Sequence, residues 1–152
     1  MRTQQLIKYM STINNSLKLL MNLAKIQAVV SRKFDRLSVH GIGFSDFLIL
    51  HLLQQAPNEQ LRRIELAEKI GLTASGITRL LLPIEKIGLI TREANERDAR
   101  VSYAKLTAAG KRIYNETLQT ADAIADDIIP TTYLEKAPPI ADLLRMLGGN
   151  IN

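Results

Sequence analysis

The spacing of apolar and small residues between positions 63 and 87 most constrains the fold. A helix-turn-helix unit needs a small residue where two helices cross, a turn residue that tolerates positive φ, and apolar anchors on the second helix. This chain meets those requirements in order with Leu66, Ala67, Gly71, Ile77 and Leu80. The pattern predicts a first helix over about 63–70, a turn at Gly71 and a second helix over about 74–87.

The second of these helices begins with side chains that contribute little to its own packing. A helix N-terminus with small side chains fits into a major groove roughly 12 Å wide, with its free N–H groups toward phosphate. We therefore predict that the DNA-contacting residues of this helix are Thr73, Ala74, Ser75, Gly76, Thr78 and Arg79. An ordinary helical hairpin with a capped second helix is the alternative, since Thr73 and Ser75 are routine capping residues.

A predicted β-hairpin follows this unit directly. Two β-prone runs, 89–93 and 100–106, are joined by the polar tip "ANERDAR". A helix-turn-helix followed by such a hairpin is a winged helix, and we predict that Arg97 and Arg100 reach an adjacent minor groove. Asp98 is predicted to orient one of these arginines or to hold the tip through a local backbone bond. A solvated charged tip is the alternative.

The remaining sequence is typical of helices. Periodic apolar residues predict a long first helix from Leu6 to Leu37, and Ser45 is a plausible N-cap for a helix over 46–55. Further helices are predicted from Thr107, as N-cap, to about 129, and over about 134–147. The fold class predicted is mainly α with a small β-hairpin wing, a winged helix-turn-helix flanked by N- and C-terminal dimerisation helices.

Charge is distributed unevenly along the chain. The net charge of the 152 residues is +5, with seven basic and one acidic residue in 1–36 (+6) and two basic and six acidic in 113–152 (−4). Basic regions favour a polyanionic partner, although ordinary scatter of lysine and arginine on solvated helices stays an alternative. The opposite charges and the apolar stripes of the two ends favour a dimer, but the same stripes can also pack within one chain.

Several chemistries have no support in the composition. There is no cysteine, and the two histidines, His40 and His51, do not suggest a metal site. The sequence contains no phosphate-binding glycine loop and no nucleophile motif, so we predict no enzyme activity, no metal and no cofactor. The longest apolar run, 47–53, is too short to cross a membrane, so the expected location is cytoplasmic and associated with the nucleoid.

The segment "LAEKIGLTASGITRLLLPIEKIGLITREANERDARVSYAKLTAAG" resembles the multiple antibiotic resistance regulator (MarR) family of bacterial winged-helix transcription regulators. The resemblance rests on "ELA" at 65–67, "GLTASGITRLL" at 71–81, "RDAR" at 97–100 and "LTAAG" at 106–110. Pro83 departs from it, since a polar residue is usual there, and a kink after Leu81 is expected. The resemblance implies one unit over 1–152, with dimerisation helices over 1–36 and 108–147 and a DNA-binding lobe over 44–107.

The resemblance also implies a homodimer on a pseudo-palindromic operator and, often, a small-molecule effector. Residues on the elements expected to meet at an effector pocket are Phe34, His40, Phe44, Phe47, His51 and Tyr114. Aromatic residues at such spacing are also typical of plain core. The predicted function is a dimeric, sequence-specific double-stranded DNA-binding regulator, a repressor released by a small aromatic or apolar effector. The alternative is a winged helix that binds protein rather than specific DNA.

Overall fold

A computed structural model describes residues 12–151 of the chain. The chain divides into two units, and the boundary in the sequence lies between Lys33 and Phe34. The first unit is helix α1, Asn15–Lys33. Asn14 begins it, because its Oδ1 accepts a hydrogen bond from the Leu17 backbone N–H at 2.7 Å. The predicted helix start at Leu6 lies outside the described residues. Across residues 12–151, no single helix is long and apolar enough to span a bilayer; Asn15–His40 and Phe44–Gln55 pass by length and composition only as a bent pair.

The predicted continuation of the first α-helix to Leu37 is wrong. The chain changes to a 3-10 helix at Phe34–His40. In a 3-10 helix residues three apart eclipse one another, and this places both Phe34 and Leu37 on the buried side, 6% and 0% exposed.

The second unit contains the other elements. It has helices α2 to α6 and strands β1 to β3, with two further short 3-10 segments, Pro57–Glu59 and Thr131–Lys136. In chain order these are α2 Phe44–Gln55, β1 Gln60–Arg62, α3 Arg63–Ile70, α4 Ala74–Lys86, β2 Ile90–Ala94, β3 Ser102–Leu106, α5 Ala108–Ile128 and α6 Ala137–Met146. The predicted fold class, mainly helical with a winged helix-turn-helix, is confirmed.

The strands form one antiparallel sheet in the order β1-β3-β2. Ala104 on β3 lies opposite Leu61 on β1 and Arg92 on β2. The hairpin of β2 and β3 was predicted, whereas β1 was not. The sheet packs against a core of helix residues that includes Leu50, Leu53, Leu66, Ile77 and Leu81.

Two helix starts differ from the prediction. Helix α2 has Gly43, not Ser45, as its N-cap, and the Asp46 carboxylate accepts a hydrogen bond from the Gly43 N–H at 2.8 Å. Asp46 stands at the third position of the helix and satisfies the N–H of the cap residue, as in a capping box, so the helix begins at Phe44 and Ser45 lies inside its first turn. The last α-helix begins at Ala137 rather than near residue 134, so Pro138 and Pro139 fall in its first turn, where the missing N–H groups cost no helical bond.

Candidate nucleic-acid interface

The turn between α3 and α4 is built as the spacing predicted. Gly71 adopts φ +81°, and its N–H and that of Leu72 both bond to the Ala67 carbonyl, at 2.9 and 2.8 Å. Ala67 on α3 is 3% exposed, and Ile77 on the inner face of α4 is 1% exposed. This packing fixes α4 against α3 and turns its other face outward.

The N-terminal turns of α4 present small polar groups to solvent. Thr73 is the N-cap, and its hydroxyl accepts the Gly76 N–H at 3.1 Å and lies 3.2 Å from the Ser75 hydroxyl. Thr78 donates back to the Ala74 carbonyl at 3.0 Å. Five of the six predicted contact residues are exposed and Gly76 is half-buried, so the structure brings them together at one end of the helix.

Helix α4 continues through Pro83 to Lys86. The Ile87 N–H bonds to the Pro83 carbonyl at 3.2 Å, so the helical pattern persists beyond the proline. The expected kink after Leu81 stays a prediction. The DNA-contacting residues predicted on this helix, from Thr73 to Arg79, all precede the proline.

The tip of the wing is held by side-chain to backbone bonds. One oxygen of Asp98 accepts the Arg100 backbone N–H at 3.0 Å and its Nε at 3.1 Å, and the other accepts Nη2 at 3.3 Å. Hydrogen bonds from the Arg100 side chain and then from its backbone lower the pKa of Asp98. Asn95 accepts the Arg97 N–H at 2.8 Å. Asp98 thus contacts Arg100, and the exposed Arg97 stands beside them on the tip.

Two further arginines border this surface and were not identified from the sequence. Arg63, the first residue of α3, donates from Nη2 to the Thr78 hydroxyl at 3.3 Å. Burial and then the positive charge of Arg92 lower the pKa of Arg63, while Glu85 acts in the opposite direction. Residues 62–112 hold eleven basic and six acidic residues, and this excess includes both arginines without distinguishing them from the other basic residues.

Five of the residues predicted for an effector pocket form three ring contacts, one of them between His51 and Tyr114 with centroids 5.9 Å apart. Phe34 stacks on Phe44 with ring centroids 4.1 Å apart, and Phe47 stacks on Tyr114 at 5.3 Å. The Tyr114 hydroxyl lies 2.8 Å from Nδ1 of His51. Burial, and then the charge of Asp122, raise the pKa of Tyr114.

The sixth predicted pocket residue, His40, also contacts α5. Its Nε2 is 2.7 Å from the Thr120 hydroxyl. One turn away, the Thr117 hydroxyl is fully buried and has no hydrogen-bond partner among residues 12–151. Buried polar groups usually have a hydrogen-bond partner, so the Thr117 hydroxyl is an exception among the described residues.

A cavity of about 570 Å³ lies elsewhere, between the end of α2, β1, α3 and the C-terminal residues Asn150 and Ile151. It does not include the aromatic residues predicted for an effector. Within the described part of the chain, no group of three or more His, Asp or Glu residues is arranged to hold a metal ion.

Comparison with known proteins gives matches over most of the chain. The family model described as "MarR family" matches residues 45–102, from the start of α2 into β3. The regulator MhqR of Bacillus subtilis (strain 168) is 26% identical over 136 residues, 89% of this chain and 92% of its own length. FarR of Neisseria gonorrhoeae is 33% identical over 100 residues, 66% of this chain and 67% of its own. Both are described as HTH-type transcriptional regulators.

Solved structures agree in fold. Sco3205 of Streptomyces coelicolor, a MarR family regulator in complex with DNA, has a TM-score of 0.79 at 20% identity and covers 90% of this chain and 89% of its own. NadR in complex with 4-hydroxyphenylacetate has a TM-score of 0.74 at 26% identity, and the match covers 94% of this chain and 100% of the NadR chain. The chain therefore belongs to the MarR family of DNA-binding transcription regulators.

Proposed function

We propose that this protein is a dimeric, sequence-specific double-stranded DNA-binding regulator that represses transcription until a small effector releases it. The observation that carries the proposal is the end of α4. Thr73, Ser75 and Thr78 present hydroxyl groups, and Arg79 follows them on the same exposed turns. Such side chains fit the major groove, where base edges are read by hydrogen bonds.

The wing supplies the second contact. Arg97 and Arg100 lie at its tip, and both side chains are exposed. A guanidinium in a narrow minor groove is stabilised by the concentrated negative potential there. Asp98 is held against Arg100, so it offsets one cation and orients it. The DNA-binding lobe would then comprise residues 44–107.

Apolar surface on the outer helices supports the dimer. Helix α1 has no buried residue in its own unit, and Leu17, Leu20, Met21 and Ile26 are 45–56% exposed. Helix α6 in the second unit also has no buried residue, and Ile140 and Leu144 are 55% and 42% exposed. Contiguous exposed apolar residues mark an interaction surface. We therefore assign dimerisation to 1–36 and 108–147, with 1–11 outside the described residues.

The effector proposal rests on the aromatic residues beside α5. The Tyr114 hydroxyl and the His51 ring offer polar groups beside Phe47, and the Thr117 hydroxyl is buried one turn along α5. Phe34 and Phe44 add a second stacked pair of rings. Ligand sites typically combine apolar walls with a few such polar groups. A small aromatic or apolar compound with few polar groups fits this chemistry, and NadR, a protein of similar fold, was solved with 4-hydroxyphenylacetate, an aromatic ring that carries a hydroxyl and a carboxylate. Binding would separate rings that stack in this structure.

Selection of bound duplexes from random DNA tests the proposal. Two recognition helices related by a two-fold axis should select half-sites centred about 10 base pairs apart, a separation of about 34–36 Å. The same protein should sediment at about twice its 17.0 kDa chain mass. A single unrepeated half-site or a folded DNA-binding monomer would contradict it. If no duplex binds in a salt-sensitive way, the winged helix is a protein-interaction module instead. Since its proposed partner is the genome, we infer a cytoplasmic location associated with the nucleoid, and we propose no catalytic role.

A further inference from the structure

Arg63 and Arg92 come from different elements and converge beside the recognition helix α4. The Arg63 guanidinium, at the start of α3, donates to the Thr78 hydroxyl at 3.3 Å. Thr78 is exposed and directly precedes Arg79, the residue proposed to read bases. A cation from α3 therefore lies at the edge of the base-reading surface.

The sheet register brings Arg92 to the same place. Directly opposed residues in antiparallel strands project from the same face of the sheet. Arg92 opposes Ala104, which is 1% exposed and belongs to the core under the helices. Arg92 therefore projects from the helix-covered face of edge strand β2, toward the ends of α3 and α4, while its side chain stays exposed.

The electrostatics of the pair favour an anion. The positive charge of Arg92 contributes, after burial, to the lowered pKa of Arg63, and Glu85 compensates only partly. Among residues 12–151, neither guanidinium lies within ion-pair distance of a carboxylate. Two neighbouring guanidinium groups that have no carboxylate partner among these residues match the charge of a phosphate, which arginine binds through two parallel hydrogen bonds.

We propose that Arg63 and Arg92 together bind one backbone phosphate of the DNA at the edge of the recognition helix. The inference rests on the proposed DNA-binding function. It adds a contact separate from the wing tip and from Arg79, and this contact would set how α4 is rotated in the groove. Phosphate contacts of this kind fix the position of a protein on the duplex without reading its sequence.

The proposal is tested by measuring DNA affinity at a series of salt concentrations, with fluorescence anisotropy as the readout. The DNA is the selected operator or a random-sequence duplex. The double variant Arg63→Gln/Arg92→Gln should lower the slope of log affinity against log salt by about 0.9 for each phosphate that is no longer bound, so by about twice that for two half-sites. Each single variant should bind both duplexes more weakly by the same factor, so that the ratio of the two affinities is unchanged. Arg112→Gln, which removes the same charge from an exposed position on α5 where Arg112 pairs with Glu116, is the matched control.

Neutral methylphosphonate groups, placed one at a time in the operator, locate the contact. A methylphosphonate at one position beside the recognition helix should lower the affinity of the wild-type protein for the operator and leave the affinity of the double variant unchanged. An unchanged salt slope, with loss only of the operator-to-random ratio, would show that Arg63 merely positions Thr78 and would overturn the proposal. Wild-type protein that binds no duplex would instead refute the proposed function. Melting curves by circular dichroism establish that every variant is folded.

Discussion

The phenolic oxygen of Tyr114 lies 2.8 Å from Nδ1 of His51, and this contact joins α5 to α2. The same tyrosine ring stacks on Phe47, one turn earlier on α2. Helix α5 belongs to the proposed dimerisation region, whereas α2 lies in the core of the proposed DNA-binding lobe. Displacement of Tyr114 would therefore move both regions, which makes it a natural point for an effector to act.

Replacing Tyr114 with phenylalanine separates the hydrogen bond from the stacking. The ring contact with Phe47 remains, but His51 loses this partner. We expect the free energy of unfolding to fall by about 1 kcal/mol, the usual net value of a partly buried hydrogen bond, measured by urea denaturation. Tyr103→Phe is the control, because the bond that the Tyr103 hydroxyl accepts from Asn95 is long, at 3.4 Å. A destabilisation of the control as large as that of Tyr114→Phe would contradict the assignment.

Gly110 in the "LTAAG" motif is required by a close approach between α5 and the sheet. A Cβ atom there would lie 2.0 Å from the Leu89 carbonyl oxygen and 2.8 Å from Cδ1 of Leu106. Alanine favours a helix over glycine by about 1 kcal/mol. The clash is with backbone, however, and overpacking of this kind typically costs about 1–3 kcal/mol. We therefore expect Gly110→Ala to lower the free energy of unfolding despite its better helix propensity.

Gly43→Ala is the matched control for this substitution. Gly43 has a negative φ, and the nearest atom to its added Cβ is Oδ2 of Asp46 at 3.7 Å, an ordinary contact. Because alanine is a poorer N-cap than glycine, Gly43→Ala should lower the free energy of unfolding by up to about 1 kcal/mol, less than Gly110→Ala does. Equal stability of the two variants in denaturant titrations would show that α5 can move away from Leu89.

The helix-turn-helix was predictable because its signals are local. The predicted bounds of α3, 63–70, are those observed, and α4 ends one residue before the predicted 87. Helical periodicity and one glycine at positive φ specify this unit within about 25 residues of sequence. The Thr107 cap of α5 is likewise local, and its hydroxyl accepts the Gly110 N–H at 3.0 Å as expected of an N-cap.

The features that sequence analysis missed depend on distant partners. Strand β1 has three residues, too few to show alternation, and it exists because it pairs with β3, more than 40 residues later. The convergence of Arg63 and Arg92 depends on both pairings of β3, since Arg63 directly follows β1 and Arg92 lies on β2. The change to a 3-10 helix at Phe34 depends on burial of Phe34 and Leu37 together, which helical periodicity alone does not specify.

The hydrogen bonds between Arg100 and Asp98 should give the Asp98 carboxylate a measurably lowered pKa in the wing. Because the Arg100 bonds lower the pKa of Asp98, this carboxylate stabilises the tip above the ordinary aspartate pKa and loses that effect as pH falls through its lowered value. Arg100→Gln should raise the pKa of Asp98 toward the ordinary value, as followed by carboxyl NMR chemical shifts. Arg97→Gln is the control, since Arg97 bonds to Asn95 through its backbone N–H, which the substitution keeps. The same upward shift in both variants would mean that general charge, not the Arg100 bonds, sets this pKa.

Arg79 and Arg97 should differ in what they contribute to DNA binding. Arg79 lies in the second turn of α4, where side chains meet base edges, so Arg79→Ala should weaken operator binding by about 1–3 kcal/mol for each base that is no longer read and spare most of the affinity for random duplex. Arg97 is exposed on the wing tip, where contacts are to phosphate or groove shape. Arg97→Gln should lower the affinity for both duplexes by the same factor. It should also reduce the slope of log affinity against log salt by about 0.9 for each phosphate that the wing no longer binds.

Salt titrations of both variants on operator and random duplex distinguish these roles, because the slope reports on phosphate binding and the operator-to-random ratio measures base reading. Arg79→Ala should lower the ratio with little change in slope, and Arg97→Gln should lower the slope with little change in the ratio. An equal fall in the ratio for both would mean that the wing also reads bases. Unchanged binding by both variants would favour the protein-interaction module, since a winged helix that binds protein has no need of cations at both the helix and the wing tip.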